Sequence, residues 1–140
     1  MQDVSLFIQH HPVLCFALLF VALIAAIVEY IRLRRQASGV TPTTAVVLMN
    51  RENAVIIDLR SKEAWQAGHI TGALSVPLPD LQQNDKKIDK FRTHPVILAC
   101  AAGNESRQAA ALLQNKGLDV RVLTGGMQAW QNAGLPLTRS

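Results

Sequence analysis

Only two cysteines, Cys15 and Cys100, occur in the 140 residues, which rules out a disulfide framework. The four histidines are His10, His11, His69 and His94, and no Cys/His spacing matches a zinc site. Aromatic residues make up 5% of the chain, too few for a base-stacking surface. Basic residues are scattered, apart from Lys86, Lys87, Lys90 and Arg92, so the concentrated basic face of a nucleic-acid binder is missing. A solvated surface is the expected role of these charges, and no nucleic-acid partner is expected. There is no internal repeat and no low-complexity tract.

What is present is uneven. The 49% hydrophobic content is inflated by one block near the start. Pro12 to Val28 is a run of seventeen residues with no charge and no strongly polar side chain, extended by Leu6, Phe7 and Ile8 before it and by Tyr30 and Ile31 after Glu29. A helix of about 20 residues spans roughly 30 Å, the thickness of a bilayer core. The run is long for a signal peptide, lacks basic residues on its N-terminal side and has no small-residue cleavage site after it. Residues 1–35 are therefore expected to be a single-span membrane anchor, with a cleaved signal or a buried soluble helix as the weaker alternatives. Arg32, Arg34 and Arg35 follow the run and only Asp3 precedes it, so the positive-inside rule puts the N-terminus outside and the rest in the cytoplasm. That compartment is reducing and suits a working free thiol. Cys15 is expected to face lipid or a partner helix.

Residues 36–39 read as a linker, and 40–137 as one folded domain carrying most of the charge, eleven Lys and Arg against eight Asp and Glu over residues 36–140. Thr43 or Thr44 is expected to cap a helix reaching Met49 or Asn50. Ala54 to Leu59 is a β-branched apolar run, a buried strand. Ser61 caps a helix over Lys62 to Ala67, stopped by Gly68. Ala73 to Val76 is a further strand, and residues 78–94 are loop and short helices. Val96 to Ala99 is a strand, Ser106 to Lys116 an amphipathic helix ended by Gly117, Val120 to Leu123 a strand and Met127 to Ala133 a helix. Strand–helix alternation with short loops predicts an α/β domain, with helices flanking a mostly parallel central sheet.

The stretch Val96 to Arg107 is where chemistry is expected. It runs from strand to turn to helix, with Cys100 at the strand end. Ligands of open α/β sheets bind at that end. Loop amides and a helix N-terminus there form a nest that favours a thiolate. Gly103 and Asn104 are expected to supply positive φ, and the Ser106 hydroxyl to cap the helix. On position alone two readings stand: an activated thiol, or a buried structural cysteine.

Three motifs in order are similar to those of the rhodanese-homology domains. Asp58-Leu59-Arg60, then Glu63-Ala64-Trp65 and Gly68-His69-Ile70-Thr71-Gly72-Ala73, resemble their first signature. Cys100-x-x-Gly103-Asn104-x-Ser106 resembles their active-site loop, and Gly125-Gly126-Met127-Gln128-Ala129-Trp130 their closing motif. The resemblance covers residues 40–137, and an anchor before such a domain is similar to a bacterial membrane-bound rhodanese-like subfamily, which implies the inner membrane. It implies a sulfurtransferase that moves a sulfane sulfur from thiosulfate or a persulfide, through a Cys100 persulfide, to a thiol or cyanide. It also implies a substrate cradle of Ala101, Ala102, Gly103, Asn104, Glu105 and Ser106, with Arg60 helping to place an anion, and no metal or organic cofactor. Asp58 and Arg60 are expected mainly to tie loops together, His69 to hydrogen-bond structurally, and Trp65 and Trp130 to pack.

The loop Cys100 to Glu105 has six residues, resembling sulfurtransferases. Related phosphatases have one more and an Arg six positions after the Cys, where this chain has Ser106, with Arg107 one later. Ala101, Ala102 and Glu105 stand where active thiosulfate users commonly carry basic or polar residues. Weak use of thiosulfate is expected, with a persulfide on a small thiol or protein as the natural donor. The alternative is a non-enzymatic, membrane-tethered docking or sulfur-relay module, with other membrane proteins as partners.

Overall fold

The computed structural model describes residues 11–35, 37–83 and 86–140. The chain divides into two compact units, residues 1–35 and 36–140. The first holds helix α1, Pro12–Arg35, of which Pro12–Ile31 is long and apolar enough to cross a bilayer. Its large apolar side chains are exposed, which is unfavourable in water and appropriate in hydrocarbon.

The second unit runs β1 (Gly39–Val40), α2 (Pro42–Glu52), β2 (Val55–Asp58), α3 (Lys62–Ala67), β3 (His69–Ile70), β4 (Leu74–Ser75), α4 (Leu78–Gln83), α5 (Lys86–Asp89), β5 (Val96–Ala99), α6 (Asn104–Asn115), β6 (Val120–Leu123), α7 (Gly126–Asn132) and β7 (Leu137–Thr138). Five strands form one sheet in the order β1-β6-β5-β2-β4, every pairing parallel. Its strands therefore share one amino edge and one carboxyl edge. β5 lies at the centre, with Asp58 beside Ala99 on one flank and Val122 beside Leu98 on the other.

Both faces of the sheet are covered, so the central strand β5 is apolar and buried throughout rather than alternating with polar residues. Ile57, Val96, Leu98 and Val122 pack on one side with Leu81, Ile88, Ala109, Ala110 and Leu113, from α4, α5 and α6. Ile56, Ile97, Ala99 and Leu123 pack on the other with Ala45, Leu48, Met127 and Trp130, from α2 and α7. This is the mostly parallel α/β sheet flanked by helices that the sequence predicts.

The differences lie at short elements and ends. Ser38 and Gly39, expected in the linker, belong to the sheet: the Val122 N–H donates to the Ser38 carbonyl at 3.1 Å and Gly39 pairs with Val122. A Cβ on Gly39 would fall 2.6 Å from the Thr124 Oγ1, so glycine suits this edge. Thr41, not Thr43 or Thr44, caps α2, its Oγ1 accepting from the Thr44 N–H at 3.2 Å, and Pro42 takes the first helical position, where it has no N–H to lose. The helix then runs on to Glu52 and closes on Asn53, left-handed at φ 52. At the far end, β7 pairs antiparallel with β3, and the Ser140 N–H donates to Gln66, so the fold continues past residue 137.

Ile97 is fully buried in the central strand. Ile97→Ala is expected to cost about 2–5 kcal/mol by leaving a cavity. A urea titration of the whole chain in detergent, followed by fluorescence, reads this directly because Trp65 and Trp130 both lie in the second unit.

Candidate functional site

Strand β5 is buried over its full length and delivers Cys100 to the carboxyl edge, at the middle of the sheet. The chain then turns through Ala101 and Ala102, both exposed, to Gly103, buried at φ 100. A Cβ on Gly103 would meet its nearest neighbour, the Gly125 nitrogen, at an ordinary 3.5 Å, so the left-handed backbone rather than space calls for glycine. Turning there aims the Gly103 N–H back at the strand end, where it donates to the Cys100 Sγ at 2.9 Å. An amide donor facing sulfur stabilises negative charge on it.

Gly103 is also the N-cap of α6, and no side chain caps that helix. Two expectations are corrected here. Ser106 lies inside the helix rather than before it, so its hydroxyl does not cap. Asn104 is the first helical residue and has no positive φ, because Gly103 alone makes the reversal. The six positions from Cys100 to Glu105 are thus a four-residue turn followed by the start of a helix. The first-turn amides of α6 have no intrahelical acceptors and are the natural anion donors. Asn104 and Glu105 are exposed at the rim, and the Ser106 Oγ is buried with no hydrogen-bond partner among the described residues.

The turn is held from behind. The Met127 N–H donates to the Cys100 carbonyl at 2.8 Å and the Gln128 N–H to the Ala101 carbonyl at 3.2 Å. These amides open α7, so one helix N-terminus holds the Cys100 and Ala101 carbonyls, while the Gly103 amide faces the sulfur. The contact requires bare backbone. A Cβ on Gly126, at φ 58, would collide with the Cys100 carbonyl and stand 2.9 Å from the Ala101 carbonyl group. The Met127 and Gln128 amides are functional groups that the side-chain pattern did not disclose. The Gly125-Gly126 pair before a helix was their signal.

Asp58 and Arg60 follow β2 at the same edge. Asp58 is buried and takes Arg60 in a forked contact, Nη2 to Oδ2 at 2.8 Å and Nε to Oδ1 at 3.0 Å. The same Nη2 donates to the Gly68 carbonyl at 2.7 Å. This ties the loop after β2 to the end of α3, and it commits two of the guanidinium nitrogens that placing an anion would use. His69 donates from Nδ1 to the Trp65 carbonyl at 2.8 Å and stacks on the Trp65 ring at 3.8 Å. Trp130 is buried and donates from Nε1 to the Pro136 carbonyl at 3.1 Å. Arg107 is exposed on α6. An apolar groove of about 200 Å³, lined by Val46, Met49, Ile70, Trp130 and Leu135 among others, includes no residue of the cysteine turn. Among the described residues no three His, Cys, Asp or Glu side chains are grouped to hold a metal.

Gly126→Ala tests the support of the turn. The left-handed backbone alone costs about 1–2 kcal/mol with a Cβ, and the collision displaces the Cys100–Ala101 carbonyls. Alkylation of Cys100, followed by peptide mass spectrometry so that Cys15 is read separately, is expected to speed up by about tenfold as the turn opens. An unchanged rate would show that the close approach does not hold the turn.

Comparison with known proteins agrees with this fold. The chain is 28% identical over 141 residues to YibN of Escherichia coli K12, covering 99% of both chains. It is 35% identical over 99 residues to the thiosulfate sulfurtransferase GlpE of Actinobacillus succinogenes, covering 70% of this chain and 87% of that one. Its fold is similar to that of a rhodanese-related protein from Thermoplasma volcanium, with a TM-score of 0.68 and 22% identity, over 74% of this chain and 99% of the other. The Rhodanese-like domain family matches residues 41–133, from the cap of α2 to the end of α7. The chain belongs to the rhodanese-like domain family.

Proposed function

We propose that this protein is a membrane-tethered sulfurtransferase that carries sulfane sulfur on Cys100. The observation that supports it best is the Gly103 N–H held 2.9 Å from the Cys100 Sγ at the carboxyl edge of the sheet. The resemblance of the domain to the thiosulfate sulfurtransferase GlpE points the same way.

The chemistry is two displacements. The Cys100 thiolate attacks the outer sulfur of a donor. A sulfur–sulfur bond forms on the enzyme, the donor's own sulfur–sulfur bond breaks, and its electron pair leaves with the departing group, sulfite if the donor is thiosulfate or a thiolate if it is a persulfide. A thiol or cyanide acceptor then attacks the outer sulfur of the Cys100 persulfide, and the Cys100 thiolate leaves. No net oxidant or reductant is consumed. Ala101 to Ser106 form the cradle, the amides of Gly103 and the first turn of α6 facing the charge that moves between donor, persulfide and acceptor. Arg60 acts through Asp58 and Gly68 to hold the edge in shape.

The rim of the turn bears on the choice of donor. Ala101 and Ala102 offer no side-chain donor, and Glu105 places a carboxylate at the mouth. Its repulsion is about 1 kcal/mol at 4 Å in a water-like dielectric for each negative charge on the donor, and a dianion carries two. This disfavours thiosulfate and favours a persulfide on a small thiol or protein. Helix α1 anchors the chain in the inner membrane, and Arg32, Arg34 and Arg35 keep the domain in the cytoplasm. The same unadorned Ala101-Ala102 turn supports a second reading, a docking or relay module that does not turn over.

Treatment with a persulfide donor followed by mass spectrometry is expected to add one sulfur to Cys100 and none to a Cys100→Ser chain, and cyanide or a thiol is expected to remove it. No adduct, with full cellular function retained by Cys100→Ser, would favour the docking module. Thiosulfate turnover is expected to be low and to rise in Glu105→Arg by about thirtyfold or more, a repulsion of about 1 kcal/mol per unit charge having been replaced by a comparable attraction. Wild-type turnover equal to that of a strong thiosulfate sulfurtransferase would overturn the choice of donor.

A further inference from the structure

One buried hydroxyl in the domain has nothing to bond to. Ser106 is wholly buried in the first turn of α6, and its Oγ has no hydrogen-bond partner among the described residues. A serine inside a helix commonly donates to the carbonyl one turn back, and here it does not. A buried hydroxyl without a partner costs free energy. Alanine at this position would avoid that cost and favour the helix more strongly.

The packing shows what Ser106 stands against. Side chains alternate along β5, with Ile97 and Ala99 in one core and Val96 and Leu98 in the other. Cys100 continues the alternation one residue past the strand and joins Val96 and Leu98, on the α6 side of the sheet. Helix α6 turns Ser106, Ala109, Ala110 and Leu113 inward, the i, i+3, i+4 and i+7 positions of one face. The three apolar members lie in the same core as Cys100. The helix runs back along the strand that leads into it, so its first inner residue meets the carboxyl end of β5. The lengths match: about 10 Å of helix from Ser106 to Leu113 runs beside about 13 Å of strand from Cys100 to Val96. Ala109 and Ala110 are fully buried and small, which lets the helix approach the sheet closely. Ser106 is thus the inner-face residue level with Cys100, and it is the polar one of the four. The charged groups around that end are Asp58, which is held by Arg60, and Asp80, Glu105 and Arg107, which are exposed.

We infer that the Ser106 hydroxyl is a side-chain donor to the Cys100 thiolate, and that it eases the departure of that thiolate when the persulfide is emptied. The second half rests on the sulfurtransferase reading. An ionised sulfur takes up several donors, and the Gly103 N–H is already one of them. Moving Ser106 between staggered χ1 wells redirects its hydroxyl without moving the backbone. In the emptying step the acceptor, a thiolate or cyanide, bonds to the outer sulfur of the protonated persulfide. The bond between outer and inner sulfur breaks, and its electron pair returns to Sγ. The acceptor leaves with the outer sulfur and its proton, and Ser106 keeps its own proton, bonding to a sulfur whose charge is rising. In the loading step Sγ gives up its charge, so the same bond does not assist. The hydroxyl therefore favours emptying over loading.

The test is Ser106→Ala in the full chain in detergent, with Cys100 and Cys15 read separately by peptide mass spectrometry. The unfolding midpoint is expected to equal or exceed that of the wild type, since an orphaned polar group is removed. On the acid side of the Cys100 titration, alkylation by iodoacetamide is expected to slow about tenfold, and the difference to close on the alkaline side, where the thiol ionises unaided. Once loaded by a persulfide donor, the variant is expected to yield its sulfur to cyanide about tenfold more slowly, with loading at alkaline pH unchanged. Ser106→Thr keeps the hydroxyl and is expected to restore both rates. Coincident alkylation profiles for serine and alanine would overturn the inference and mark a residue that only packs. So would a Ser106→Ala chain that fails to fold, which would show the hydroxyl to be holding the structure. If no chain takes up sulfur while the alkylation profiles still differ, the sulfurtransferase reading fails and the donor role stands without it.

Discussion

The approach of the Gly125-Gly126 backbone to the cysteine turn is the contact on which the site depends. A turn at a strand end has polar groups pointing both ways, and it is useful only if its amides converge on one side. That requires its carbonyls to be satisfied on the other. The amides of Met127 and Gln128 do this for Cys100 and Ala101, and they come close enough only because Gly126 carries no side chain. The left-handed Gly103 completes the reversal and turns its own amide onto the sulfur. Two helices thus serve one turn, α6 continuing from it and α7 bracing it, and neither supplies a side chain to do so.

The sheet places these pieces. All five strands of the main sheet run the same way, so the ends of β2, β5 and β6 and the starts of α3, α6 and α7 come together at one edge. Ile56, Ile57, Ile97 and Leu98 fix the register by packing alternately into the two cores. The forked Asp58–Arg60 pair and its link to the Gly68 carbonyl then hold the neighbouring loop. A buried carboxylate is tolerable here because its charge is met by a guanidinium at hydrogen-bond distance.

Much of this could be read from the residues. Val96 to Ala99 and Val120 to Leu123 are strands at the predicted positions, because a short β-branched run between turns has few other uses. Ser61 caps α3 as expected, with a glycine after its end. Three of the four two-residue strands were not legible: β1, β3 and β7 are too short to show a period, and β3 finds its partner some seventy residues later. The caps of α2 and α6 differ for local reasons, Pro42 drawing the first helix back to Thr41 and Gly103 drawing the second to Asn104. At the site, Cys100 and its six-position loop were visible as a pattern. The bracing amides were not, since any residue but proline provides one. Arg60 drew attention as a cation, and only its contacts show how much of it is already engaged.

The depth of Cys100 has a consequence for which atom reacts. The residue is 2% exposed. A sulfur bound to it would stand about 2 Å beyond Sγ, and the inner sulfur would remain behind it. An incoming thiol that struck the inner sulfur would release sulfide and leave the protein joined to its acceptor as a mixed disulfide. One that struck the outer sulfur would carry it away and restore the resting enzyme. In the proposed transfer, burial of the inner atom would hinder the first path, and the depth of the strand end beneath the surface would then set which sulfur reacts.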